Sequence, residues 1–271
     1  MDIIENSYGI RRRLQFIEEI IRRYNPSTIL DMGCGSGQLI TMPISSKFVN
    51  IKVIGVDNDK ESIENARTNN KYPNLSFEYP EKLTDADKFD LIIASEVIEH
   101  VECPVIFIAS LHKHLTTSGK LIVTLPNGYG PFELMKFIES LLVLIGLRKL
   151  KRFLFGRCNI VISNRDTMAD SPHINFFSYK QIQQLFIDTG FSIIQYEPRT
   201  FLCGLIFDQV VEKYHLVDWN QKVTDTLRPH NVSGWMFFLD KKSHSVLPIY
   251  KRNNFARLRK YINQNVMGSR R

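Results

Sequence analysis

The stretch ILDMGCGSG, residues 29–37, sets three glycines in five positions directly behind a short apolar run. Glycines placed this way after a strand let backbone come close to a ligand, because only a residue without Cβ permits the approach and takes positive φ freely. A phosphate-cradling loop ends in lysine and a hydroxyl residue, but here Gly37 is followed by Gln38 and Leu39. A dinucleotide fingerprint reads G-x-G-x-x-G, whereas Gly33, Gly35 and Gly37 read G-x-G-x-G with Asp31 two residues ahead. A carboxylate at that point repels a pyrophosphate and attracts a cation. The turn therefore suits a cofactor that lacks a pyrophosphate and carries positive charge, of the aminoacyl-sulfonium kind.

Helical and strand-like runs alternate around the turn. Residues 10–24, IRRRLQFIEEIIRRY, place Leu14, Ile17, Ile20 and Ile21 at helical spacing, and Pro26 ends the run. Strand-like segments follow: TILDMG, VIGVDN at 53–58, LSFEY at 75–79, DLIIAS at 90–95 and KLIVTLP at 120–126. The helix DKESIENARTNN separates the second from the third, and a helix over about 96–115 with a turn at Ser118-Gly119 separates the fourth from the fifth. Apolar runs without alternation suit parallel strands covered on both faces. The stretch from Asn127 to about Asp170 interrupts this order as an insertion. Regular order resumes with SYKQIQQLFIDTG, capped by Ser178 and closed by Gly190, then FSIIQYEP and a late strand WMFFLDKK at 235–242. At 271 residues and 44% hydrophobic, the chain has material for one sizeable core.

Charge is unevenly spread. From Lys241 to Arg271 there are nine Lys or Arg and no acid, so the first 240 residues, with 26 basic and 28 acidic side chains, are slightly acidic. A second cluster, Arg148, Lys149, Lys151, Arg152 and Arg157, has no acid between Glu139 and Asp166. Such patches fit an anionic membrane surface, a phosphorylated substrate or nucleic acid, with a solvated helix face as the plain alternative. The four cysteines, Cys34, Cys103, Cys158 and Cys203, lie far apart without metal-ligand spacing, which points to reduced thiols in a cytoplasmic protein. No run reaches membrane-spanning length or forms a signal peptide.

ILDMGCGSG, VIGVDND, FDLIIASEVIEHV and LTTSGKLIVTLPN, in this order, resemble the class I S-adenosylmethionine-dependent methyltransferases, over about residues 10–200. The resemblance is to the branch holding the ubiquinone-biosynthesis O-methyltransferases and other small-molecule methylases. It implies an α/β fold: a Rossmann-like, doubly wound, seven-stranded, mostly parallel sheet. The methyltransferase domain would span 1–245 with a lid or substrate insertion at 127–177, and 246–271 would be a basic C-terminal tail. The implied cofactor is S-adenosyl-L-methionine. Asp31, Gly33, Gly35 and Gly37 would line its methionine end, with backbone at Ser95 and Glu96 nearby. Asp57 would accept hydrogen bonds from the ribose hydroxyls, its alternative being a helix N-cap. Asn58 would lie against the adenine. Where the family usually has an Asp at the adenine amine, this chain reads EYPEKL, leaving Tyr79, Pro80 or Glu81 to cover that edge.

Methyl transfer to a hydroxyl needs in-line alignment and removal of a proton. SEVIEHVECP puts Glu96, Glu99 and His100 beyond the fourth strand, and an imidazole can act as base near neutral pH. A structural histidine paired with a carboxylate of the same helix is the equal alternative for His100. Glu96 and His100, four apart on a helical face, could instead join Glu99 in holding a divalent cation; this is the lesser reading, and no metal is assigned. His173, in SPHINFFSYK, resembles a histidine that borders the substrate pocket in many of these methylases, against a loop histidine packed on Phe176 or Phe177. The insertion, apolar over 141–147 and then basic, reads as an interfacial anchor or as a lid. The acceptor is expected to be an amphiphilic or lipid-linked small molecule, with 141–157 and the basic tail meeting an anionic membrane. A soluble sugar or nucleotide-sugar acceptor is the alternative, and a catalytically silent cofactor-binding protein is the third reading. SEVIEH in place of N/D-P-P-Y or a Pro-Cys motif argues against nucleic acid as substrate.

Overall fold

The computed structural model describes residues 7–146, 173–203, 207, 210, 211, 213–242 and 247–267. Within them seven strands form one sheet: β1 (Thr28–Met32), β2 (Lys52–Val56), β3 (Leu75–Glu78), β4 (Phe89–Ser95), β5 (Leu115–Pro126), β6 (Phe191–Pro198) and β7 (Gly234–Lys241). Their order across the sheet is β3-β2-β1-β4-β5-β7-β6. The first five run parallel, and β7 lies antiparallel to both β5 and β6. The α/β, doubly wound, seven-stranded and mostly parallel sheet expected from the sequence is the one found.

Alternate residues of each strand face opposite sides, and each side has its own core. Leu30, Ile92, Ala94, Leu121, Val123, Trp235 and Phe237 face α4 (Pro104–His114) and α6 (Tyr179–Asp188). Ile29, Leu91, Ile93, Ile122, Met236 and Phe238 face α1 (Ser7–Tyr24), α2 (Thr41–Lys47) and α3 (Lys60–Asn69). From β1 the chain turns toward the second core, and from β4 toward the first. The crevice between β1 and β4 is thus a topological switch point, where open α/β sheets hold their ligands.

Two expectations are corrected. No helix runs from residue 96: turns occupy 96–103 and α4 starts only at Pro104. Proline at the first helical position has no N–H to lose, and it forces Cys103 into extended backbone, φ −127° and ψ 94°, so the helix cannot reach back toward Glu96. β5 begins at Leu115 rather than Lys120, with Ser118-Gly119 inside an irregularity where its pairing with β4 shifts between Phe89 and Leu91. The helix at 179–188 follows expectation, with a capping box between Ser178 and Gln181 and Gly190 at φ 84°.

Beyond β5 lie α5 (Pro131–Leu144), α7 (Val217–Thr226) between β6 and β7, and α8 (Asn254–Met267) in the C-terminal segment. The cationic cluster Arg148–Arg157 falls outside the described residues.

The glycine turn is fixed by contact as well as by torsion. Gly33 has φ 78°, and a Cβ there would lie 2.4 Å from Val97 Cγ2 in the turn after β4. Gly33→Ala meets a left-handed penalty of roughly 1–2 kcal/mol, so its Tm should fall by roughly 2–8 °C. Adding Val97→Ala should recover only the steric share. A Gly33→Ala melting curve that overlays wild type would refute this account of the turn.

Candidate active site

At the carboxyl ends of β1 and β2 the backbone is latched. Gly33 and Cys34 amides donate to Val56 O at 2.7 and 3.1 Å, and Gly35 N–H donates to Asp57 Oδ2 at 2.8 Å. Asp57 Oδ1 also accepts from Asp59 N at 2.9 Å. The N-cap of α3 is Asp59, whose side chain accepts from Ser62 N at 3.0 Å. A carboxylate has about four lone-pair sites, so Asp57 can hold the turn and still accept from a ligand. Asn58, next to it, is exposed. Tyr79 donates to Glu64 Oε1 at 2.8 Å with the Arg67 guanidinium over its ring, and Pro80 and Glu81 sit in a single 3₁₀ turn.

Asp31 is buried at the end of β1 and accepts from Thr41 Oγ1 at 2.5 Å. Burial, joined by the Asp57 charge and opposed by the Thr41 hydrogen bond, raises its pKa from 3.8 to about 7. Gly35 and Gly37 share the left-handed backbone of Gly33, at φ 55° and 74°.

Glu96 closes β4 with φ 57°, rare for a residue with a side chain. Its carboxylate accepts from Thr124 Oγ1 at 2.9 Å and from Arg199, with Arg13 Nη1 at 3.7 Å. Arg13 also reaches Ser95 Oγ at 3.3 Å, and Ser95 Oγ lies 2.8 Å from Thr124 Oγ1. Burial alone would raise the Glu96 pKa, but Arg199 and Arg13 outweigh it and lower it to about 2. Glu96 is therefore an ion-pair hub, and with no helix at 96–100 it does not share a helical face with His100. Arg13 sits inside an arginine run and Arg199 follows β6, and nothing in their local sequence marks either one.

The acceptor end lies just beyond. Glu99 is buried, neither carboxylate oxygen finds a hydrogen-bond partner among the described residues, and His100 Nε2 is 3.9 Å away. Burial, and next the Glu96 charge, push its pKa well above the ordinary carboxylate value. The segment holding His173 is stitched across this turn: Ile174 and Asn175 amides both donate to Glu99 O at 2.9 Å, and Asn175 Nδ2 donates to Ile98 O and Val101 O. His173 meets His100 edge-on with ring centroids 4.9 Å apart, and its Nδ1 lies 2.7 Å from Glu133 Oε1. Glu99, His100 and His173 each present a ligand atom within 4.8 Å of the others. The sequence brought His100 and His173 forward separately, and the fold makes them neighbours. Nothing in the local sequence marks Glu133, which is 1% exposed.

A left-handed glycine turn, a carboxylate at the end of β2 and this strand order define the class I methyltransferase architecture. The methyltransferase-domain family matches residues 5–196, and the chain belongs to it: it is an S-adenosylmethionine-dependent methyltransferase. A ubiquinone biosynthesis O-methyltransferase of Rickettsia akari is 37% identical over 124 residues, 42% of this chain and 48% of that protein. The chain thus matches about half the length of that relative. The Rickettsia canadensis protein of the same name is 28% identical over 214 residues, 76% of this chain and 79% of that one. Among solved structures, the plantazolicin methyltransferase BpumL in complex with SAH aligns over 88% of this chain and 86% of its own, with TM-score 0.50 and 15% identity.

In the ligand-free protein Asp31 binds a proton between about pH 4 and 7 that the unfolded chain has released. Stability therefore falls as pH rises through that window. Asp31→Asn removes this slope, so its Tm should gain on wild type from pH 4 to 7 and stay level above. Parallel Tm-versus-pH curves would contradict the buried, protonated Asp31.

Proposed function

We propose that the chain O-methylates a phenolic or similar hydroxyl of an amphiphilic, lipid-linked small molecule. The observation that carries this reading is the two-sided character of α5. One side buries Glu133 against His173, while Leu134, Ile138, Leu141 and, just past the helix, Ile145 stand exposed at helical spacing. An apolar stripe in water beside the acceptor end suits a ligand with an apolar tail, or the membrane that carries it. Phe255 and Leu258 of α8, exposed as well, extend the apolar surface. The likeness to ubiquinone biosynthesis O-methyltransferases supports a hydroxyl acceptor. No helix among the described residues is long and apolar enough to cross a membrane. The proposed association is a peripheral one, at the cytoplasmic face.

The residues suit the cofactor: left-handed glycines leave positions 33, 35 and 37 of the β1 turn without side chains, and the Asp57 carboxylate stands beside them. On this reading Asp31, Gly33, Gly35 and Gly37 border the methionine end with the Ser95–Glu96 backbone, Asp57 takes the ribose, and Asn58 borders the adenine. S-adenosylmethionine supplies a methyl group on a sulfonium, whose leaving group is a neutral thioether. His100 and His173 are the bases, one of which takes the hydroxyl proton as the oxygen attacks. Glu99, its pKa raised by burial and by the Glu96 charge, is biased toward the protonated form, which can donate a hydrogen bond to the acceptor. The close spacing of Glu99, His100 and His173 favours a second reading, in which they hold a divalent cation that acidifies the hydroxyl.

A soluble nucleotide-sugar acceptor is favoured by a different feature. Tyr250, Lys251, Arg252, Arg257, Lys260 and Tyr261 line a cavity of about 310 Å³ that suits a phosphate.

Vesicle flotation separates the two acceptors. Wild type should float with anionic vesicles and release as salt rises, and Ile138→Asp with Leu141→Asp should stay in the soluble fraction with cofactor affinity intact. A wild type that ignores the vesicles at low salt would move the acceptor to the soluble class. If His100 rather than His173 takes the proton, His100→Ala should lower turnover of a short-chain prenylated catechol by about 10²-fold with cofactor affinity unchanged. Full turnover would return His100 to a structural role, and loss of wild-type turnover on chelation would favour the cation.

A further inference from the structure

Behind His173 lies a second layer of buried charge. Glu133, on α5, puts Oε1 2.7 Å from His173 Nδ1 and Oε2 2.8 Å from Arg259 Nη2. Arg259 comes from α8, more than a hundred residues along the chain, and is 3% exposed. Its guanidinium also donates to Gly128 O and Glu133 O and lies over the Phe176 ring, 3.7 Å from the centroid. Asn263, one turn further along α8, donates to His173 O at 3.1 Å. The helix therefore grips the histidine at its backbone and, through Glu133, at its ring.

We propose that Glu133 and Arg259 are positioning residues that select the tautomer of His173 and make its Nε2 the base for methyl transfer, a proposal that rests on the O-methylation reading above. A carboxylate paired with a guanidinium only accepts, so the ring nitrogen facing it carries the proton. Nδ1–H then points at Glu133, and the lone pair falls on Nε2. Both Glu133 and Arg259 are nearly inaccessible, and a buried ion pair adds little stability over an apolar pair of the same volume. Its worth here is orientation. In the step it serves, the acceptor oxygen forms its bond to the methyl carbon as the carbon–sulfur bond breaks. The hydroxyl proton passes to Nε2, and the sulfur keeps the electron pair as a neutral thioether. The imidazolium so formed is stabilised by the Glu133 carboxylate at Nδ1, the arrangement by which a buried carboxylate orients the base of a hydrolase triad.

Removing one partner would leave a lone buried charge and risk unfolding, so the test removes both. The full chain is labelled with ¹⁵N-histidine, and the ring nitrogens of His173 are read by NMR at pH 8.5 in wild type and in the Glu133→Leu/Arg259→Met double variant. Assignment comes from His173→Gln. Wild type should show the Nδ1–H tautomer, and the double variant should lose it. With a short-chain prenylated catechol as acceptor, kcat should fall about 10²-fold while the Kd for S-adenosylmethionine stays put; Arg259→Lys, which keeps the charge, should recover most of the kcat. An Nε2–H tautomer in wild type overturns the proposal, as does a double variant with wild-type kcat or an unchanged tautomer. If wild type leaves the catechol unmethylated, the O-methylation reading fails, and the proposed base role goes with it. The NMR result then decides separately whether Glu133 and Arg259 set the ring.

Discussion

β1 lies between β2 and β4, all three parallel, and the chain leaves β1 and β4 for helices on opposite faces of the sheet. The turns that follow these strands therefore meet across a crevice, with no helix packed between them. Close approach follows: Gly33 sits against Val97 with no room for a Cβ, and Gly35 is tied to Asp57 at the end of β2. Both cores beneath depend on strands whose alternate side chains feed opposite layers, so a strand shifted by one residue would empty both. The site owes its rigidity to those layers rather than to its own hydrogen bonds alone.

Charge at the mouth of the crevice is sorted by partner. Glu96 and Glu99 are three residues apart, the first partly buried and the second fully, yet their pKa values move in opposite directions, since Arg199 and Arg13 pair with Glu96. Asp31, with a hydroxyl for a partner instead of a cation, rises. Pairs of titratable groups driven apart by their surroundings are the usual foundation of acid–base work at neutral pH. The ion pairs also fasten distant parts of the chain: α1 to the end of β4 through Arg13, and α8 to α5 through Arg259. Such pairs contribute geometry more than net stability.

α5 joins this interior to the surface. Its register buries Glu133 and exposes Leu134, Ile138 and Leu141, so the element that touches His173 also carries the apolar stripe. Any movement of that helix would be felt at the His173 ring.

Much of this was legible in the residues. The glycine turn, the order of strand and helix, the Ser178 cap and the late strand follow from local pattern, because backbone torsion and side-chain periodicity are set within a few residues. The placement of Asp31, Asp57 and Glu96 at strand ends was readable for the same reason. The helix expected at 96–115 starts only at Pro104, because proline keeps the residue before it, Cys103, out of helical backbone. What only the tertiary structure decided are the partners: Arg13 and Arg199 for Glu96, Glu133 and Arg259 for His173, and the meeting of His100 with His173. Those residues are separated by up to more than a hundred positions, and no local propensity encodes which of many arginines will be buried. Distance along the chain is erased only when the sheet and its helices pack, and the chemistry of the site is settled by that packing.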